Sequence, residues 1–255
     1  QWQPIQDPFR TFTASLERKN LLKNHSIGIQ FLQDEAGDAD FKTTGASVSY
    51  AYNINYNKNI SFSLACNTGF FQRSITYEKL IFNQNETYSK DNFWFPDVNL
   101  GFSNHTIFNN KTNAVTGFAY YHTNTPKQSL TGDQNVRLNK KLNFHTSLSY
   151  LVSKKIIIRT SFFHSQQKKL KETIFGSNFT YLFFVTNKEN SFGAGLHYRI
   201  KDAIICSFNA DMGRFGFIIS HDINVSSFKE ATNSNGALEF LLNYSWNITK
   251  SPEKQ

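Results

Sequence analysis

Apolar and polar residues alternate along much of this chain, most regularly at S-F-G-A-G-L-H-Y-R-I, residues 191–200. A second alternating run follows after Lys201 and Asp202. Strict alternation predicts a β-strand with one apolar and one polar face, and a two-residue link predicts a hairpin. The polar face of this hairpin carries His197 and Arg199. We therefore expect these two side chains to face away from the apolar surroundings of the sheet.

The same unit recurs along the chain and predicts thirteen strands, with no convincing helix. Besides the hairpin at 191–212, the strands are residues 9–16, 26–33, 44–53, 60–72, 97–104, 114–122, 142–151, 155–165, 177–186, 214–223 and 237–247. Strands of soluble sheets average ~5–6 residues, whereas a tilted membrane strand needs ~9–11. Most of the predicted strands have the longer length. This favours an all-β fold, a transmembrane antiparallel up-and-down β-barrel that is apolar outside and polar inside.

The links between the predicted strands alternate in length. The mostly short set is residues 54–59, 105–113, 152–154, 187–190 and 212–213, and the mostly long set is residues 73–96, 123–141, 166–176, 201–202 and 224–236. Outer-membrane barrels have short periplasmic turns and longer outer loops. The short link at 201–202 is the exception in the long set and predicts a low place in the outer rim.

This parity predicts one barrel domain, residues 1–247, followed by a periplasmic C-terminal tail, residues 248–255. The same parity predicts that the first strand runs from the outer side of the membrane towards the periplasm. Bacterial barrels normally have an even number of strands with both ends in the periplasm. We therefore expect a fourteenth strand, either upstream of Gln1 or supplied by another chain.

The composition supports a membrane barrel more than a soluble sandwich. The chain has 26 Phe, 11 Tyr and 3 Trp, yet its mean hydropathy is −0.45. A barrel averages to polar because only alternate residues face lipid, whereas a soluble two-sheet core is weighted towards smaller aliphatic residues. The net charge of +8 comes from scattered lysines and arginines, often near turns. This favours contact with lipid headgroups over nucleic acid, which needs a basic stripe with interleaved aromatics.

No catalytic, cofactor or metal motif is evident in the sequence. The acidic segment 34–40 lacks the spacing of a calcium loop, and Cys66 and Cys206 stand alone. The seven histidines show no metal-ligand spacing, and no G-x-S-x-G elbow frames a serine. We therefore expect no cofactor and no metal, although an outer-membrane hydrolase stays open as an alternative.

Residues 26–52, S-I-G-I-Q-F-L-Q-D-E-A-G-D-A-D-F-K-T-T-G-A-S-V-S-Y-A-Y, resemble the signature of the PorP/SprF family. That family has an N-D-x-A-G-D-like loop, then R/K-T-T and S-x-S-Y-A-Y; here Gln33 departs from the usual Asn. Further similar blocks lie at residues 72–82, 95–97, 126–129, 145–150, 214–222 and 236–244. The opening Q-W-Q-P resembles an internal segment of the family, whose usual upstream opener does not appear here.

The resemblance implies a non-enzymatic outer-membrane barrel of the Bacteroidetes type IX secretion system and gliding machinery. It implies a role in exporting, holding or anchoring cell-surface proteins that bear a C-terminal sorting domain. The implied partners are other type IX components, this cargo, outer-membrane lipid or lipopolysaccharide, and a periplasmic lipoprotein; nucleic acid is not among them.

We expect the outer loops 34–43, 73–96, 123–141 and 224–236 to hold the cargo. The partner-binding candidates within them are Asp34, Asp38, Asp40, Phe82, Trp94, Gln128 and Lys229. The plainer interpretation is that these are ordinary solvent-exposed loops. The alternative functions are a porin-like diffusion channel, an outer-membrane enzyme and a soluble lectin-like sandwich.

Overall fold

Every element in the described part of the chain is a β-strand. The computed structural model describes residues 9–37, 40–77, 91–130, 133, 135–185, 188–226 and 234–246. The strands are β1 (Arg10–Leu22), β2 (His25–Ala36), β3 (Phe41–Asn55), β4 (Ile60–Ser74), β5 (Asn92–Asn109), β6 (Thr112–Tyr121), β7 (Lys141–Ser153), β8 (Ile156–Gln167), β9 (Leu170–Val185), β10 (Lys188–Arg199), β11 (Ala203–Met212), β12 (Phe215–Asn224) and β13 (Asn235–Tyr244). Within these residues, no helix is long and apolar enough to cross a membrane.

The thirteen strands form one antiparallel sheet in which each strand pairs with its neighbours in the chain. The predicted all-β, up-and-down barrel class is confirmed. In the predicted hairpin, Ser191 pairs with Asp211 and Arg199 pairs with Ala203. Within the described residues, β1 and β13 are the two edge strands. They run in the same direction because the chain reverses at every link, and the expected fourteenth strand stays a prediction.

The links lie at two ends of the sheet and differ in length. At one end, here called the turn end, the described links are residues 23–24, 56–59, 110–111, 154–155 and 213–214. At the other, the loop end, the links are residues 37–40, 75–91, 122–140, 168–169, 200–202 and 225–234. The two-residue turns at the turn end use left-handed backbone at Asn24 (φ 68°) and Gly213 (φ 64°), which these residues adopt with little strain.

Several predicted links have the wrong extent: the link predicted at 105–113 is a turn at residues 110–111, and the loop predicted at 34–43 shortens to 37–40. The loop predicted at 166–176 is a turn at residues 168–169, because β8 and β9 both continue past the apolar part of the sheet. The sequence there, Q-Q-K-K-L-K-E-T, is polar on both faces, so the alternation ends before the strands do. The loop predicted at 73–96 shortens to 75–91, because β5 begins at Asn92.

The sheet exposes apolar side chains and buries polar ones, which is the reverse of the distribution in a soluble protein. Large apolar side chains on the outer face are exposed, up to 74% for Phe240. The buried polar residues are Ser47, Asp97, Ser149, Ser165, Asn190, Ser191, Asp222 and Asn224, whereas the buried apolar ones are Phe95 and three alanines. This distribution is typical of a membrane barrel, whose outer face lies in lipid.

Candidate functional site

The inner face of the sheet carries an aromatic cluster at the loop end of β4 and β5, formed by Phe71, Phe93 and Phe95. The rings of Phe71 and Phe95 stack with centroids 5.8 Å apart, and Phe93 lies 5.9 Å from Phe95. Phe95 is only 4% exposed. The ring of Phe71 lies across Gly45 and Gly69, where an added side chain would collide with it. The inner face is therefore packed here, although the alternation predicts polar side chains.

Arg73, near the end of β4, places its guanidinium against the aromatic cluster. Its Cζ lies 5.3 Å from the ring centroid of Phe41 and 5.5 Å from that of Phe95. The Nε atom donates a hydrogen bond to Oγ1 of Thr43 at 3.1 Å, and Nη1 donates to Oε1 of Gln128. Aromatic faces and neutral oxygens thus stabilise this cation, since both attract positive charge.

The contact with Gln128 holds segment 122–140, which follows β6, against β4, two strands away in the sheet. The base of the segment is also fixed: the side chain of Asn124 donates to the carbonyl oxygen of Pro96 at 2.8 Å and accepts from the backbone N–H of Val98 at 3.2 Å. The segment is therefore attached to the sheet at its base and near its middle.

Segment 122–140 also has internal structure. The backbone N–H of Gln128 donates to the carbonyl of Val136 at 2.8 Å, and that of Leu138 donates to the carbonyl of Pro126 at 2.9 Å. These bonds form a short antiparallel ladder. A long link that is folded on itself and attached at two points presents a defined surface.

A ladder of polar side chains continues from this segment along the inner face. The backbone N–H of His122 donates to Asn99 at 2.9 Å, and Asn99 donates to Asn67 at 3.0 Å. Asn67 in turn donates to Ser47 at 3.0 Å and to Ser49 at 2.9 Å. Buried polar groups are stable when they are hydrogen-bonded to one another, and this ladder satisfies that condition across β3 to β6.

A hydrogen bond between His122 and Asp97 lies where the aromatic cluster meets the polar ladder. Nδ1 of His122 lies 2.9 Å from Oδ1 of Asp97, whose carboxylate is almost fully buried. The pair closes the base of segment 122–140 against β5. It adds a contact with a carboxylate group to the other hydrogen bonds that attach this segment.

A second cluster, here called the arginine cluster, lies at the loop end of β9 to β12. Nη1 of Arg199 lies 2.8 Å from Oδ2 of Asp222 and 3.1 Å from Oδ2 of Asp202, and Nε lies 3.1 Å from Oε1 of Glu172. The carbonyl of Asp202 accepts from the backbone N–H of Val225 at 2.8 Å. One guanidinium thus joins β9, the link 200–202 and β12. His197 and Arg199 both lie on the inner face, as predicted.

Two acidic candidates at the loop end engage neighbouring side chains. Asp34 belongs to β2, and its carboxylate accepts from Oγ1 of Thr11 at 2.6 Å. Asp40 belongs to the link 37–40, and its carboxylate accepts from Oγ1 of Thr76 at 3.3 Å. Asp38 lies outside the described residues.

The other candidates do not form one site. Trp94 lies on β5 and not in a loop; its ring is 55% exposed on the outer face and stacks on Phe70 at 5.2 Å. The expected loop position of Trp94 is therefore wrong. Gln128 is the candidate with the most specific contact, through Arg73. Phe82 and Lys229 lie outside the described residues.

The residues that organise the loop end were not among the predicted candidates. These residues are Arg73, Phe95 and Asp97. They were not predicted because each was assigned to a loop or to the end of a strand. A signal was present in F-W-F-P, residues 93–96, where three consecutive aromatics predict apolar surroundings on both faces of a strand. Both Arg73 and the run 95–97 also fall in blocks that resemble the family.

Metal-binding groups and cavities are further features that the inner face could offer to a ligand. Within the described residues, no group of three His, Cys, Asp or Glu side chains could hold a metal ion. Two cavities of about 640 and 310 Å³ line the inner face, one along β1 to β5 and the other along β8 to β12. Their walls combine serine and asparagine with charged and some apolar side chains.

Comparisons with known proteins give one family and several similar solved structures. The model of the family described as type IX secretion system membrane protein PorP/SprF matches residues 1–244. No curated protein matches the chain. The structure of CdiB from Acinetobacter baumannii is similar with a TM-score of 0.49 and 8% sequence identity, over 92% of this chain and 49% of CdiB. The chain thus spans about half the length of that protein.

Proposed function

Since the chain belongs to the PorP/SprF family of type IX secretion system membrane proteins, we propose that its loop end holds or anchors surface proteins exported by that system. The cargo would be proteins with a C-terminal sorting domain, and the barrel would act on them without catalysis. The family is a secretion-system membrane family and not an enzyme family. Interaction with other secretion components follows from this membership.

We place the barrel in the outer membrane, with the loop end facing outward. The length asymmetry of the links supports this orientation, since barrels of that membrane have longer outer loops. The turn end and the tail 248–255 would then face the periplasm, where a lipoprotein partner has access to them. Residues 1–247 would form one barrel domain, with lipid or lipopolysaccharide around it.

The attachment of segment 122–140 carries the proposal. Its anchors, His122 and Asn124 on β5 and Gln128 on Arg73, fix a long loop before any partner binds. A preorganised surface binds more tightly because less conformational entropy is lost on association. The region around Gln128 is therefore where we expect the cargo to be held.

Co-purification from native outer membrane tests this proposal. A variant in which residues 127–137 are replaced by a short Gly-Ser linker should lose at least about tenfold of the retained sorting-domain proteins, as quantified by mass spectrometry. The matched control replaces the turn at 168–169 with Asn-Gly, at the same end of the sheet, and should retain the cargo. Equal retention by both variants would rule out the loop as the holding surface.

A diffusion channel is the second candidate, and the polar ladder with its two inner cavities favours it. Single-channel recordings in planar bilayers separate the two functions. An anchoring barrel whose loop end is packed should give no stable conductance steps. Regular steps in wild type that grow when segment 127–137 is replaced would support a gated channel instead.

A further inference from the structure

The turn end of the sheet carries unpaired positive charge on each of its described links. The exposed cations are Lys23, Lys58, Lys111, Lys154, Lys155 and Arg214. None of them forms an ion pair within the described residues. These links contain no acidic residue. We call these six side chains the basic ring.

The nearest carboxylates do not neutralise the basic ring, because they face the other way. Glu17 lines the larger inner cavity, and Glu189 and Asp211 line the smaller one. The carboxylate of Asp211 already accepts a hydrogen bond from Ser191 at 2.8 Å. These cavities also contain Arg18, Lys19 and Arg159, so the charge inside the sheet is mixed, whereas the described links at this end carry positive charge only.

Aromatic side chains accompany the cations on the outer face. Nζ of Lys155 lies 6.0 Å from the ring centroid of Tyr181. Nη1 of Arg214 donates to the hydroxyl of Tyr244 at 3.4 Å, and the Tyr244 ring stacks on Trp246 at 5.8 Å.

Two further turns repeat this pairing in sequence. Tyr56 precedes Lys58, and Phe108 precedes Lys111, with both aromatic rings largely exposed. Aromatic residues flanked by cations are typical of the membrane–water interface, where rings sit among headgroups and long cations reach the phosphates.

We propose that the basic ring is a binding site for the phosphates of anionic glycerophospholipids in the leaflet at the turn end. The inference takes the membrane setting from the proposed function and adds a ligand class and a site. Successive turns are two strands apart, or about 10 Å along the sheet, so the cations are spread around the barrel. Spread charge suits lipids, which surround the barrel, more than a protein, which docks on one contiguous patch.

Lipid retention by the full chain tests this inference. Wild type is reconstituted in nanodiscs with equal amounts of phosphatidylglycerol and phosphatidylcholine, and the lipids retained after extraction are counted by native mass spectrometry. We expect about fivefold enrichment of phosphatidylglycerol, weakened by high salt. Changing all six cations of the basic ring to Gln should bring the ratio close to one.

A matched variant controls for net charge. It changes six lysines at the loop end to Gln, namely Lys140, Lys141, Lys168, Lys169, Lys171 and Lys201, and should keep the enrichment. A third variant, with the five lysines of the basic ring changed to Arg, should also keep it, which excludes misfolding as the cause. Heat-modifiable migration on gels reports folding for each variant.

Two outcomes would overturn the inference. One is an equal ratio of the two lipids on wild type; the other is an equal loss from the ring and loop-end variants. If wild type shows no lipid preference while the ring variant loses a co-purified protein, the basic ring binds protein and not lipid. Retention of sorting-domain cargo is measured on the same preparations, so failure of the lipid site and failure of the anchoring function are told apart.

Discussion

Two arginines at the loop end are held in opposite ways. Arg73 lies between the rings of Phe41 and Phe95 and donates to neutral oxygens. Arg199 lies among three carboxylates at 2.8 to 3.1 Å. In the first environment, aromatic rings pack around the cation. In the second, three carboxylates carry more negative charge than the single guanidinium can neutralise.

The difference follows from what each arginine has to attach. Arg73 fixes a link of nineteen residues, 122–140, which needs a packed platform and a directional hydrogen bond. Arg199 lies beside two short links, 168–169 and 200–202, and joins them to β12, where the longer link 225–234 begins. Carboxylates suffice there because the backbone geometry is constrained by the hairpins themselves. The part of the loop end that carries the long link 122–140 thus depends on packing. The part that carries the short links 168–169 and 200–202 depends on ion pairs.

Removing the packing should have the largest effect. Phe95→Ala would leave a cavity beside Phe71 and Arg73, and core Phe→Ala changes cost about 3–5 kcal/mol. We expect the free energy of unfolding in urea, followed by tryptophan fluorescence in detergent micelles, to fall by that amount. Phe102→Ala is the matched control on the outer face of the same strand. It should cost much less, because lipid or detergent replaces the lost contacts; equal losses would show that the aromatic cluster is not a packed core.

Removing the central charge of the arginine cluster should have a smaller effect. Arg199→Gln would leave the carboxylate of Asp222, 6% exposed, without its partner. Breaking a fully buried pair costs ~3–5 kcal/mol, and we expect about 2–3 here because the guanidinium itself is partly exposed. The same unfolding measurement checks this. Lys201→Gln removes a neighbouring cation without an ion pair and should leave stability unchanged, so a comparable loss there would point to net charge and not to the cluster.

The fold could be predicted from the sequence because apolar and polar residues alternate wherever one face of the sheet contacts lipid. The hairpin 191–212 and the other eleven strands follow from it, including their antiparallel order. The strand ends could not be predicted as well. Beyond the apolar band, both faces of β8 and β9 are exposed to water. The alternation is therefore lost, and nothing in Q-Q-K-K-L-K-E-T distinguishes a strand from a loop.

The candidate site was predictable only in part, because it rests on contacts between distant segments. Gln128 was a candidate, but its partner Arg73 lies fifty-five positions earlier, and no local pattern joins them. Trp94 was expected in a loop because its aromatic neighbours break the alternation. That break arises because β5 is apolar on both faces at this point, towards lipid at Trp94 and towards the cluster at Phe95.

The contact between Arg73 and Gln128 should govern the motion of segment 122–140 more than the stability of the barrel. Gln128→Ala removes a hydrogen bond to a charged group, worth about 1.5–3 kcal/mol. It also removes the Nε2 donor of Gln128, which is buried without a partner and costs about 1–3 kcal/mol. The two terms nearly cancel, so we expect little change in the free energy of unfolding.

Hydrogen exchange of the backbone amides of Gln128 and Leu138 should nevertheless accelerate about tenfold in Gln128→Ala, since the segment loses its attachment near the middle. Gln128→Glu should slow the same amides, because a carboxylate gives Arg73 the kind of partner that Arg199 has. Gln166→Ala, at the neighbouring short turn, is the control and should leave both amides unchanged. Unchanged exchange in all three variants would mean that the contacts of His122 and Asn124 at the base hold the segment, and that aromatic packing around Arg73 stabilises the sheet and not the loop.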